Sequence, residues 1–216
     1  MNYTAVEQRI LSKLENELSP SLHYHNYEHT LDVLHSVEQI SAMEGVNGEE
    51  LLLIKTAALF HDAGYLWAYD DNEPLACSLA RKVLPDFNFG ASQVDTICQL
   101  IMATQIPQQP KGKLAMILCD ADLDYIGRDD FFPIAHKLFR EWTENHERAI
   151  ESREWYTRQF LFMRDHEYFT DSARSLRNVK KKQNLGKIAQ LLSVFENPSN
   201  FEAYAIRPSD KPSDTP

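Results

Sequence analysis

Three short segments of the 216-residue chain hold residues able to ligate a cation or move a proton: His25-Asn26-Tyr27-Glu28-His29, His61-Asp62 and Asp120-Ala121-Asp122. His29 falls four residues before Val33, and His61 follows Ile54, Ala57 and Ala58 at helical spacing. Each imidazole therefore faces inward, where a single histidine is ordinarily a satisfied core residue. Asp122 resists so plain a reading. It shares a face with Ala115, Leu118 and Cys119, and no lysine or arginine occurs between Lys113 and Arg128 to pair with it. An ionised carboxylate on an apolar stripe is costly without a positive partner. Asp62, at the end of another apolar helix, adds a second carboxylate. Two inward histidines and two carboxylates compensate one another when a divalent cation sits between them. Such a ligand set suits manganese, iron, cobalt, nickel, zinc or magnesium, and four protein ligands on a six-coordinate ion leave positions for water and substrate.

The elements that must carry these residues read as helices almost throughout. Apolar periodicity predicts helices over Thr4–Leu18, from Asn26 or Tyr27 to just before Gly45, and over Glu49 to about Ala63, with Gly64 closing the third. Asn72-Glu73-Pro74 reads as a cap, a first-turn acid and a first-turn proline, opening a helix to about Leu84. Further helices are predicted over Ser92–Thr104, Lys113 to about Asp124, Pro133–Arg148, Ser152–His166 and Asp171–Phe195, the last capped by Thr170. No stretch alternates as a strand does, so the expected class is all-α, with one domain over residues 1–196. From Asn197 onward four prolines fall within twenty residues, and 197–216 is expected to be a flexible tail unless Phe201, Tyr204 and Ile206 anchor it.

Composition narrows the function. The net charge of −10 argues against a nucleic-acid polymer as partner, because binding one requires basic surface. Cys77, Cys98 and Cys119 form no CxxC pair, which fits reduced thiols. The apolar run Leu51–Phe60 is interrupted by Lys55 and Thr56 and is too short to span a bilayer, and MNYTAVEQRI lacks the pattern of a signal peptide. A cytoplasmic protein with no membrane partner is expected.

The order His29, His61-Asp62, Asp122 resembles the HD superfamily of metal-dependent phosphohydrolases, whose three core blocks are similar to YHNYEHTLDVL, LFHDAGY and ILCDADLDYIG here. The resemblance covers about residues 20–130. It implies an all-helical bundle with the metal at its centre, metal contact by His29, His61, Asp62 and Asp122, and a second ion within reach of Asp62. The first block also resembles that of class I cyclic-nucleotide phosphodiesterases, which implies a general-acid role for His25. The other reading of His25 is a surface or capping histidine just before a helix. The chain departs from those phosphodiesterases after His61-Asp62, where Ala63-Gly64-Tyr65 brings no further histidine. No histidine at all occurs between Asp62 and Asp122, which counts against the di-iron oxygenases and cyclic-di-GMP phosphodiesterases of the superfamily.

The expected function is hydrolysis of a small phosphate ester, a nucleotide above all, by a metal-activated water, with Asp62 orienting the nucleophile and His25 protonating the leaving oxygen. The alternatives are a cyclic-nucleotide or other phosphodiesterase, and a metal-stabilised interaction module without turnover. Asn26, Glu73, Asp120 and Arg140 are candidates to support the ligands or touch substrate. Each has a plainer reading: Asn26 and Glu73 as helix-start residues, Asp120 as a solvated helix-end acid, Arg140 as a surface cation. Arg158 and Arg164 are further possible phosphate clamps on helices.

Overall fold

A computed structural model describes residues 1–146 and 150–196, and the expected tail lies outside them. Among the described residues every regular element is helical: α1 (Tyr3–Glu17), α2 (Tyr27–Met43), α3 (Gly48–Phe60), α4 (Asn72–Val83), α5 (Ala91–Ala103), α6 (Lys113–Asp122), α7 (Phe131–Asn145), α8 (Ser152–Asp165) and α9 (Asp171–Glu196), with tight 3-10 turns at Ala63–Leu66, Leu84–Phe87 and Asp124–Gly127. The class is all-α, as the periodicity indicated. No described helix is long and apolar enough to cross a membrane.

The central layer follows from apolar content. In α3 the side chains of Ile54, Ala57, Ala58, Leu59 and Phe60 are all buried, which requires neighbours on most sides of the helix. α2 covers one flank, α1 and α5 others, and α6 packs against both α2 and α3. Val6, Ile10 and Leu14 give α1 its buried stripe at four-residue spacing.

Helix ends depart from the sequence expectation in two places that matter. The third helix stops at Phe60 rather than near Ala63: Asp62 leaves helical geometry at φ −102° and ψ 6°, and the chain tightens into the Ala63–Leu66 turn. Gly64 is required there because a Cβ would stand 1.9 Å from the Asn72 carbonyl oxygen. Asn72 is not the cap of α4 but its first helical residue. The cap position belongs to Asp71, in the left-handed region at φ 53° and with no side-chain capping bond. Asn26, read only as a place where the second helix could start, is its cap, accepting from the His29 N–H at 3.1 Å, and Thr170 caps α9 as read, its Oγ1 accepting from the Ala173 N–H at 3.1 Å.

α9 fastens the end of α6. Arg177 grips Asp124 through Nε at 2.6 Å and Nη2 at 2.9 Å, and Asn184 donates to the carbonyls of Ile126 and Arg128 at 3.1 and 2.9 Å. The turn just after Asp122 is thereby held from outside the core.

Candidate metal centre and its cavity

Three helix positions bring the sequence candidates together. His29 lies in the first turn of α2, its place set by the Asn26 cap. His61 is the C-cap of α3, and its Nδ1 donates to the Ala58 carbonyl at 2.7 Å, which leaves Nε2 as the free ligand atom. Asp62 follows it, and Asp122 is the last residue of α6. Nε2 of His29 and Nε2 of His61 are 3.4 Å apart. Asp62 Oδ2 stands 3.4 Å from the former and 3.1 Å from the latter, and Asp122 Oδ1 3.3 and 3.5 Å.

These distances set both imidazole nitrogens beside both carboxylates. Ligand atoms of His29, His61 and Asp122 all lie within 4.8 Å of one another. Asp62 Oδ2 is buried and makes no hydrogen bond among the described residues, a cost that an unoccupied lone pair would carry and a cation would remove. The donor set of two imidazoles and two carboxylates fits a divalent metal. Electrostatics point the same way. Burial alone would favour neutral His61, yet Asp62 and Asp122 outweigh it and raise the imidazole well above its ordinary pKa. Burial pushes Asp62 and Asp122 up, and the facing histidines more than reverse this, leaving both carboxyls below their ordinary value. The demand that draws protons onto the imidazoles also draws a cation.

Beside this cluster stands a second unit that sequence reasoning missed. Glu141 of α7 is 0% exposed, and its Oε2 accepts from the backbone N–H groups of Tyr24 and His25 at 2.7 and 2.9 Å. Its Oε1 accepts from Nδ1 of His25 and from the Tyr69 hydroxyl, the latter at 3.2 Å. His25 stacks on Tyr65 with ring centroids 4.4 Å apart. Burial tends to lower the His25 pKa, but the Glu141 hydrogen bond, helped by Asp62, raises it on balance. With Nδ1 engaged, Nε2 is the nitrogen left for other chemistry. One signal for Glu141 was present in the sequence: it sits with Leu138 and Trp142 on the inward stripe of α7, as Asp122 sits on that of α6.

Both units border a cavity of about 620 Å³. His25, Asp62 and Asp122 are part of its lining, as are Trp142 of α7 and Trp155, Arg158 and Gln159 of α8. Glu73 lines it from the first turn of α4, its pKa raised by burial and then by Asp62 and Asp122. The remaining candidates divide. Asn26 acts on its helix, as a cap. Asp120 is neither solvated nor at the cavity: it is 0% exposed and accepts from Phe169 N, Thr170 N and Thr170 Oγ1 at 2.8, 2.8 and 2.7 Å, joining α6 to the start of α9. Arg140 is exposed, paired with Glu144 at 2.9 Å, and does not line the cavity. Its direction is set by α7, whose inward stripe runs through Glu141 and Trp142 instead. Arg164 is likewise exposed and paired, with Asp165. Arg158 alone of the three arginines reaches the cavity, its guanidinium 4.7 Å over the Trp142 ring.

The sequence pattern of the HD domain matches residues 26–124. No protein of curated function matches the chain. Solved structures similar in fold include two bacterial proteins. Bacillus subtilis YpgQ in complex with ADP superposes with a TM-score of 0.63 at 20% identity, over 92% of this chain and 98% of that one. A "predicted HD superfamily hydrolase" from an uncultured Thermotogales bacterium superposes with a TM-score of 0.55 at 18% identity, over 91% and 93%. Both likenesses extend past residue 124, so the similar fold includes helices that follow the matched domain. Residues 26–124 thus match the HD domain, and the residues of its three motif blocks are gathered at one centre.

Proposed function

We propose that the protein is a metal-dependent phosphohydrolase acting on a small phosphate ester, with nucleotides as the favoured class and residues 1–196 as the working domain. The observation that carries this reading is the convergence of His29, His61, Asp62 and Asp122 at a cavity, with Asp62 Oδ2 buried and otherwise unpartnered. These four residues would hold the ion, with Asp62 within reach of a second. A divalent metal there supplies positive charge to the phosphoryl oxygens and lowers the pKa of water. Asp62 also orients the attacking water on phosphorus. His25 donates from Nε2 to the departing oxygen, and Glu141 keeps Nδ1 protonated and the ring aimed. Arg158, beside Trp142, offers a cation to the phosphate chain.

A nucleotide is favoured by the aromatic lining of the cavity, and the YpgQ neighbour was solved with ADP. A phosphodiester is the second reading, and the His25–Glu141 pair favours it because a poor alkoxide leaving group needs a proton most. Phosphate release from monoesters and diesters with added manganese, cobalt, nickel, zinc or magnesium tests both. Turnover that needs metal and vanishes in Asp122→Ala is expected. Metal binding without turnover on any substrate would leave the interaction-module reading standing.

A further inference from the structure

We propose that Gln159 reads the nucleobase of the substrate through the edge of its carboxamide; this deepens the nucleotide reading above and rests on it for the identity of the ligand. α8 presents Trp155, Arg158, Gln159 and Phe162 to the cavity, positions that share one helix face at three- and four-residue spacing. Gln159 is the odd member of that face. It is only 8% exposed, its Oε1 is buried without a hydrogen-bond partner, and its carboxamide makes no hydrogen bond to any described residue.

A buried amide oxygen without a donor is rare in native proteins. An apolar residue of the same length would serve packing between Trp155 and Phe162 better. The group makes sense when a ligand supplies the missing N–H. Its surroundings say what kind of ligand. Trp142 and Trp155 have ring centroids 6.5 Å apart, and Arg158 lies over Trp142 while Glu154 holds it at 2.8 Å. Aromatic faces accept a planar ring, and a carboxamide offers an acceptor and a donor side by side, the pattern that matches the N–H and ring nitrogen or carbonyl along a base edge. The metal-binding cluster takes the phosphate side of the same cavity. The metal-binding residues then come from α2, α3 and α6, and the base-reading Gln159 from α8, which also carries Arg158 for the phosphate chain.

The test uses the full metal-loaded chain and reads binding from tryptophan fluorescence, since Trp142 and Trp155 line the cavity and Trp67 is exposed elsewhere. Probes are the α,β-methylene diphosphates of adenosine and cytidine, which resist hydrolysis at the bridge, against ribose 5-phosphate and methylenediphosphonate, which lack a base. Gln159→Leu and Gln159→Met keep the volume and remove the amide. Both are expected to weaken the tighter nucleotide about tenfold or more while leaving the two base-free probes within about twofold. Unchanged metal content and thermal midpoint show that the fold is kept, and with two variants a folding failure in one leaves the other to decide. Equal weakening of nucleotide and base-free probes, no weakening in a folded variant, or no binding of either nucleotide by the wild type overturns the proposal. Turnover is scored separately: hydrolysis of base-free esters with no effect of Gln159 leaves the hydrolase reading intact and removes this one. Gln159-dependent binding with no hydrolysis of anything does the reverse.

Discussion

A buried imidazole beside a buried carboxylate has its orientation and its charge set together, and His25 owes both to Glu141. If His25 supplies the proton to the leaving oxygen, His25→Ala keeps its metal and loses roughly 100-fold or more in turnover on alkyl phosphates, with a smaller loss on aryl phosphates, whose leaving groups need less help. Glu141→Gln should follow the same pattern more weakly, because the amide still accepts from the backbone N–H groups but no longer stabilises the imidazolium. Equal losses for good and poor leaving groups would assign His25 another task. Asp122 carries a different expectation. Asp122→Ala removes one of the four converging groups and leaves the histidines facing a single carboxylate, so metal content measured by elemental analysis should fall from near one ion per chain to a small fraction. Loss of a partner from a buried charged cluster also lowers stability by about 3–5 kcal/mol. Full metal retention would remove Asp122 from the ligand set.

The helices were legible because their signals are local: apolar stripes in α1, α2 and α6, a helix start at Asn26 or Tyr27, a cap at Thr170. Asp122 was legible for the related reason that its helix offers no cation nearby. Glu141 showed only its place on the inward stripe of α7, and its role was not legible because its partners Tyr24 and His25 are more than a hundred residues away. Gln159 was hidden in the same way, since a glutamine on an amphipathic helix carries no mark of burial. Gly64 shows how a residue read as a stop signal can do more. It lets the Ala63–Leu66 turn touch the backbone of Asn72, and that contact sets the start of α4 against Asp62. Gly64→Ala drives a Cβ into a carbonyl that no side-chain motion can relieve, and is expected to lower stability by at least about 3 kcal/mol and to reduce metal occupancy. Gly186, inside α9 with no atom of the described residues within 4 Å of the place a Cβ would take, provides the contrast: Gly186→Ala should raise stability by about 0.5–1 kcal/mol. Urea unfolding of both variants separates a steric requirement at one glycine from simple helix propensity at the other.

Two sets of helices meet across the cavity with different anchorage. α2, α3 and α6 are packed into the core, whereas α8 is tied chiefly to α9, which in turn is fastened to the turn after α6. The α8–α9 joint therefore holds the wall that carries Trp155, Arg158 and Gln159, and it contains a titratable group in an apolar setting. Both ring nitrogens of His166 are buried without a partner among the described residues, its ring meets Tyr168 edge-on at 4.7 Å, and the nearby Lys181 donates to its carbonyl oxygen. Burial, with the Lys181 charge adding to it, lowers the His166 pKa from 6.5 to about 4. The folded chain thus keeps this histidine neutral at a pH where the unfolded chain protonates it. Its contribution to stability is intact above pH about 6.5 and is lost as the pH falls toward about 4, where the folded form finally takes the proton. The full loss is about 3 kcal/mol, and about 2 kcal/mol of it falls between pH 7 and pH 5. Other ionisable groups also contribute to the pH dependence of stability, so the wild type alone does not isolate the effect. His166→Phe keeps an aromatic ring beside Tyr168 and removes the titration. Denaturant unfolding of both proteins at several pH values should show the wild type losing about 2 kcal/mol more than the variant between pH 7 and pH 5, because every other titrating group is common to the two. Parallel pH profiles would mean that His166 takes up its proton in the folded chain as readily as in the unfolded one, and that the joint is wetter than its packing indicates.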